Sequence, residues 1–170
     1  MPITVDTTAI TREKVVELLT GPPQRSWAAC AAIWARVFVR AGPGWKGAPE
    51  AAAAMREAFS LAMLRAAGMN DFVPDERLIE KLEAFDAEDD GSDEWQSMID
   101  LMGMVQLAVC GRDLADCLRL ALQLYLNMSF HLAGRKYGAA LRRPLGLTEV
   151  KEPVATDPDW VRTVDFVRSL

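Results

Sequence analysis

Three apolar stretches constrain this chain more than anything else in it: WAACAAIWARVFV, MIDLMGMVQLAVC and LADCLRLALQLYL. Each is about a dozen residues long, and polar residues interrupt or bound it every few positions. A membrane span wants roughly 20 unbroken apolar residues, so these stretches read as helices of a protein core. They place apolar central helices near residues 24–40, 93–110 and 113–132. Alternating apolar and polar runs, the mark of a half-buried strand, are almost absent; only ITV near the start extends briefly.

Punctuation divides the remainder into helices. A first helix runs from near Thr11 to Thr20 and stops at GPP. Pro22 and Pro23 suit the start of the second, because proline is tolerated in a first turn. That helix reaches Arg40 and ends at AGPG. A third begins after Gly47 and runs to Gly68, with Met55, Phe59, Met63 and Ala66 along one face. MNDFVPDERLIEKLEAF supplies a fourth, striped by Leu78, Leu82 and Phe85. The fifth starts near Asp93 and meets a natural stop at Gly111. The sixth runs from Asp113 to about Leu132, with an extension through Tyr137 left open. RRPLGLTEVKEPVA reads as a connector. Asp157, with Pro158 behind it, caps a last short helix. The expectation is an all-α single compact helical bundle of about seven helices, one domain over 1–170, with no repeat of solenoid length.

The stretch from Ala108 to Gly134 contains Cys110, Cys117 and His131, the chain's only histidine, at spacings of seven and fourteen. On one helix, fourteen residues span about 21 Å, whereas zinc needs its ligands within roughly 2.3 Å of one point. Neither CxxC nor HExxH supplies further ligands. The cysteines therefore read as small hydrophobes, and no metal or other cofactor is expected. Three cysteines, odd in number and set in apolar helices, suggest reduced thiols and a cytoplasmic protein. The N-terminus has no basic start followed by an apolar run, so no signal peptide is expected.

His131 belongs to a second pattern. Arg112, Asp116, Arg119, Gln123, Asn127 and His131 recur at spacings of three or four, one polar stripe along the sixth helix. The plain reading is the line where a core helix meets solvent. The sharper one is a polar groove in which Gln123 and Asn127 orient a ligand and His131 acts as general base. No GxSxG elbow, GxxxxGK[ST] phosphate loop or GxGxxG turn accompanies it, and the balance falls against an enzyme.

The loop FDAEDDGSDEWQ resembles the front half of a calcium loop, with Asp86, Glu88, Asp90 and Gly91 at positions one, three, five and six. It then fails. Asp93 occupies the apolar eighth position, and Ser97 stands where a bidentate glutamate closes the shell. Asp93 can instead cap the fifth helix, with Gln96 reaching back to form a capping box.

Charge asymmetry carries more. From Asp71 to Glu94 there are eleven acids against Arg77 and Lys81, a net of −9, while Arg135, Lys136, Arg142 and Arg143 form a basic segment. Arg36 and Arg119, inside apolar helices, are placed to reach carboxylates such as Asp100 or Asp116. The overall charge of −5 disfavours nucleic acid. The expected function is a protein-binding module, shaped like an immunity protein, antitoxin or chaperone. It would take a basic partner on Asp86, Glu88, Asp89, Asp90, Asp93 and Glu94, with the loop tryptophan Trp45 as an anchor. The alternative is a small-molecule-binding protein or enzyme with an inter-helical pocket near Asn127 and His131. A homodimer is a third expectation, since the apolar helices exceed what one core of this length needs.

Overall fold

The structure, a computed structural model, describes residues 2–42, 49–69, 71, 73, 76–83, 93–138 and 147–170. Among them the chain is all-α, with eight helices and one small two-stranded sheet. The order is β1 (Pro2–Asp6), α1 (Thr7–Leu19), α2 (Pro23–Ala41), α3 (Pro49–Ala66), α4 (Glu76–Glu83) and α5 (Asp93–Val109). Then follow α6 (Leu114–Lys136), β2 (Leu147–Lys151), α7 (Glu152–Ala155) and α8 (Pro158–Ser169). No described helix is long and apolar enough to cross a membrane.

The three apolar stretches form α2, α5 and α6, which pack on one another. α1 and α8 lie against α6, and α3 lies against α5. Trp34, Ile33 and Val37 of α2 and Leu101, Met104 and Val105 of α5 meet Leu118, Leu122, Tyr125 and Phe130 of α6 in one buried cluster. On α3 the most buried face is centred on Met55, Ala58 and Ala62. The Phe59 and Met63 side of the anticipated stripe is only half-buried. The small residues Ala58 and Ala62 line the buried face of α3, while the larger Phe59 and Met63 sit at its half-buried edge. Leu78 and Leu82 are buried on α4 as the spacing predicts; Phe85 lies outside the described residues.

Two boundaries differ from the sequence reading, and at a third the extension it left open is taken. α1 begins four residues before Thr11, because Asp6 caps it by accepting from the Ala9 N–H at 3.0 Å. α6 continues past Leu132 and through the buried Gly134 to Lys136. It stops where Gly138 takes φ +69°, a left-handed conformation suited to glycine. The segment read as a connector contains β2 and α7. Residues 147–151 pair antiparallel with β1, Ile3 opposite Val150 and Val5 opposite Thr148. The short ITV run thereby gains the partner that an isolated strand lacks.

Helix ends elsewhere follow their local chemistry. Pro22 is the N-cap of α2 and Pro23 its first residue. α5 ends at Gly111, φ +79°, where the Arg112 N–H returns to the Leu107 carbonyl at 3.0 Å. Arg65 of α3 reinforces that end, donating to the carbonyls of Ala108 at 2.9 Å and Arg112 at 3.0 Å. Among the described residues Arg36 reaches no carboxylate; its guanidinium lies over the Phe166 ring, 3.6 Å from the centroid. Arg119 does pair with Asp116, at 3.6 Å on an exposed surface.

Asp157 caps α8, accepting from the N–H groups of Asp159 at 3.0 Å and Trp160 at 3.1 Å. Lys136 and the Tyr137 hydroxyl also donate to it, which ties the end of α6 to the start of α8. Burial alone would raise this carboxyl. The Trp160 N–H and the Lys136 ammonium, with the Asp159 N–H, outweigh burial and hold it below its ordinary value. A carboxylate depressed in the folded chain stabilises the fold above its unfolded pKa and loses that contribution as pH falls through the folded value. Asp157→Ala is therefore expected to cost about 1–2 kcal/mol at neutral pH. The gap to the parent chain should close as pH drops below about 4. Urea unfolding over that range checks it; a gap constant with pH would show that the charge has no part in the cap.

Candidate functional site

The polar stripe of α6 does not run uniformly along solvent. Its N-terminal members Arg112 and Arg119 are exposed, but Asn127 is 5% exposed and Gln123 and His131 are half-buried. The change comes from α1. Thr7, its first residue, is wholly buried against α6, and its hydroxyl donates to Asn127 Oδ1 at 2.8 Å. Gln123 Nε2 donates to the same oxygen at 3.0 Å, one helical turn away. Two donors on one acceptor fix the Asn127 amide, with its oxygen toward Thr7 and its nitrogen left as the donor end.

Facing this stripe is the polar side of α5. Asp93, Gln96 and Asp100 recur at spacings of three and four and share one helix face. Gln96 Nε2 donates to Asp100 Oδ1 at 3.0 Å. This replaces the capping box expected of Gln96: Asp93 is already the first helical residue, and Gln96 points up the helix instead of back. Between the two faces lies a pocket of about 360 Å³. Its polar wall comprises Asp93, Gln96, Asp100, Gln123, Asn127 and His131, and its apolar wall Leu120, Leu124, Met128 and Leu132. Small-molecule sites have this constitution, an apolar body with a few convergent polar groups, and begin at about 300 Å³.

The structure thus brings Gln123, Asn127 and His131 to one pocket and leaves Arg119 outside it. Of the expected acidic surface, Asp93 and Glu94 fall at the start of α5. Asp93 forms an ion pair with Arg135, so part of the basic segment neutralises part of the acidic one. Asp86, Glu88, Asp89, Asp90 and Trp45 lie outside the described residues. The sequence reading missed Thr7, Gln96 and Asp100. The last two were visible as a spacing on α5; Thr7 carried no local signal, since its partner is 120 residues away.

The thiols stand apart from this site. Cys30 and Cys117 are buried and Cys110 is exposed. Burial, chiefly, pushes Cys117 up to about 11, against a lowering by Arg65, and it pushes Cys30 higher still. Both are protonated and shielded at neutral pH. Among the described residues no three or more His, Cys, Asp or Glu side chains converge as a metal site. Titration with Ellman's reagent is expected to modify Cys110 rapidly and the other two only on unfolding. Three thiols reacting at one rate in the folded chain would contradict the packing of α2 on α6.

Comparison with protein-family models, curated proteins and solved structures finds no match for this chain.

Proposed function

We propose that the chain binds a small molecule in the pocket between α5 and α6. The ligand presents a hydrogen-bonding edge to Gln123, Asn127 and His131 and an apolar body to Leu120, Leu124 and Met128. The observation that supports this most is the Asn127 amide, drawn inside the fold and oriented by Thr7 and Gln123 at the wall of a cavity. A buried amide held in one orientation by two neighbours presents a fixed hydrogen-bonding edge to whatever enters the cavity, at the cost of burying polar groups there. His131 brings an imidazole to the same wall.

The test uses a panel of aromatic amides, amines and alcohols as probes, followed by calorimetry. Fragments of this size that fit are expected to bind with Kd of order 1 mM. Leu124→Trp, which fills the cavity, should abolish binding while the fold persists. Probes that bind the filled variant as well as the parent chain would refute the site. His131→Ala separates two roles: lost affinity marks a binding contact, and retained affinity with lost turnover marks a base.

A second reading is supported by the charge of residues 71–94. In it the acidic segment, with Asp93 and Glu94 at its end, holds a basic protein partner in the manner of an immunity protein or chaperone. The three unpaired thiols fit a reducing compartment such as the cytoplasm. Partner capture from the source lysate should then weaken with salt and with Asp89→Lys and Asp90→Lys together. Capture indifferent to both would remove this reading.

A further inference from the structure

Arg40, at the end of α2, reaches across to α6. Its Nη1 donates to Ser129 Oγ at 3.2 Å, and its guanidinium stands 5.7 Å from the Tyr125 ring centroid. Ser129 is 5% exposed and Arg40 half-buried. Together they form one wall of an open cleft of about 560 Å³. The other cations lining the cleft are already matched, Arg135 with Asp93 and Lys136 with Asp157 and Asp159. Arg40 forms no ion pair with any described carboxylate; its polar partner is the serine hydroxyl.

A guanidinium drawn partly out of water gains from an anion, and its planar fork suits two oxygens of one oxyanion. Ser129 accepts from Arg40, which leaves its own O–H to donate to the same anion. Ser97 and Thr163, also in the cleft, donate to the carbonyls of Asp93 and Asp159, so they bring no further protons. The donor set is therefore Arg40 and Ser129. We infer that this end of the cleft is a binding site for an oxyanion, the phosphate or carboxylate group of a small molecule. Asp93 is offset by Arg135, and Asp159 by Lys136 and Arg162. Exposed Glu94 opposes binding from the rim and disfavours highly charged ligands. The cleft shares Asp93 and Leu132 with the α5–α6 pocket, but the inference stands without a ligand there.

Nitrogen-15 NMR titrations with inorganic phosphate and with acetate, at ionic strength held constant by sodium chloride, test it. At least one anion should shift the Arg40 side-chain and Ser129 resonances saturably. Tighter binding of phosphate assigns a phosphate-type ligand, and tighter binding of acetate a carboxylate. Arg40→Gln should weaken binding about tenfold, the loss expected for one charge-assisted contact. Ser129→Ala, which removes only a hydroxyl, should weaken it about threefold and keeps the test decisive where Arg40→Gln fails to fold. No saturable shift at Arg40, or affinity unchanged in the variant that folds, overturns the site.

Discussion

Trp34→Ala is expected to destabilise the chain by about 3–5 kcal/mol, the range for deleting a buried aromatic side chain. Trp34 is fully buried on α2, at the junction with α5 and α6, and Trp27 lies one heptad back with ring centroids 6.5 Å apart. In a chain of this length that loss lowers Tm by roughly 10 °C. Trp34→Phe should be much milder for a specific reason. The indole Nε1 of Trp34 is buried without a hydrogen-bond partner among the described residues. Phenylalanine removes that unsatisfied donor, which offsets part of the lost packing. Thermal unfolding of both variants decides it: equal losses would mean that the indole N–H has a partner and that this corner of the core is built differently.

Asn127→Leu is the second large effect. It removes the acceptor shared by the Thr7 hydroxyl and the Gln123 amide, and leaves Gln123 Nε2 its longer bond to Thr7 Oγ1 at 3.4 Å. Losing this buried acceptor is expected to cost about 1–3 kcal/mol, most of it from Thr7, because Gln123 is half-exposed and keeps Thr7 Oγ1. Adding Thr7→Val removes the hydroxyl that has lost this acceptor. The double variant should then be more stable than the sum of the single losses predicts, by about 1–2 kcal/mol. Strict additivity would mean that α1 does not anchor to α6 through this pair.

The helices were legible because their signals are local. Apolar spacing marks the buried faces of α2, α5 and α6, Asp157 with Pro158 marks the start of α8, and Gly111 marks the end of α5. What could not be read depends on distant partners. β2 forms because β1 supplies its backbone hydrogen bonds from the other end of the chain. Asn127 could be read either as a solvated surface residue or as part of a groove, until Thr7 covers it. Arg36 reads from its surroundings as a partner for a carboxylate, but the placement of α8 presents Phe166 to it instead. The candidate site inherits the same limit. Gln123, Asn127 and His131 were visible as a stripe, but the wall of α5 that turns the stripe into a pocket is a consequence of helix packing.

The central claim is that this stripe faces an interior pocket and a ligand, with α1 holding it in place. Its most direct test is a nitrogen-15 NMR titration of the parent chain with a neutral aromatic amide such as benzamide, following the side-chain amides of Gln123 and Asn127. Saturable shifts of these two groups, with Arg40 and Ser129 moving little, are the predicted result. Shifts confined to other surfaces, or side-chain amides of Asn127 that exchange with solvent like those of an exposed asparagine, would contradict the account.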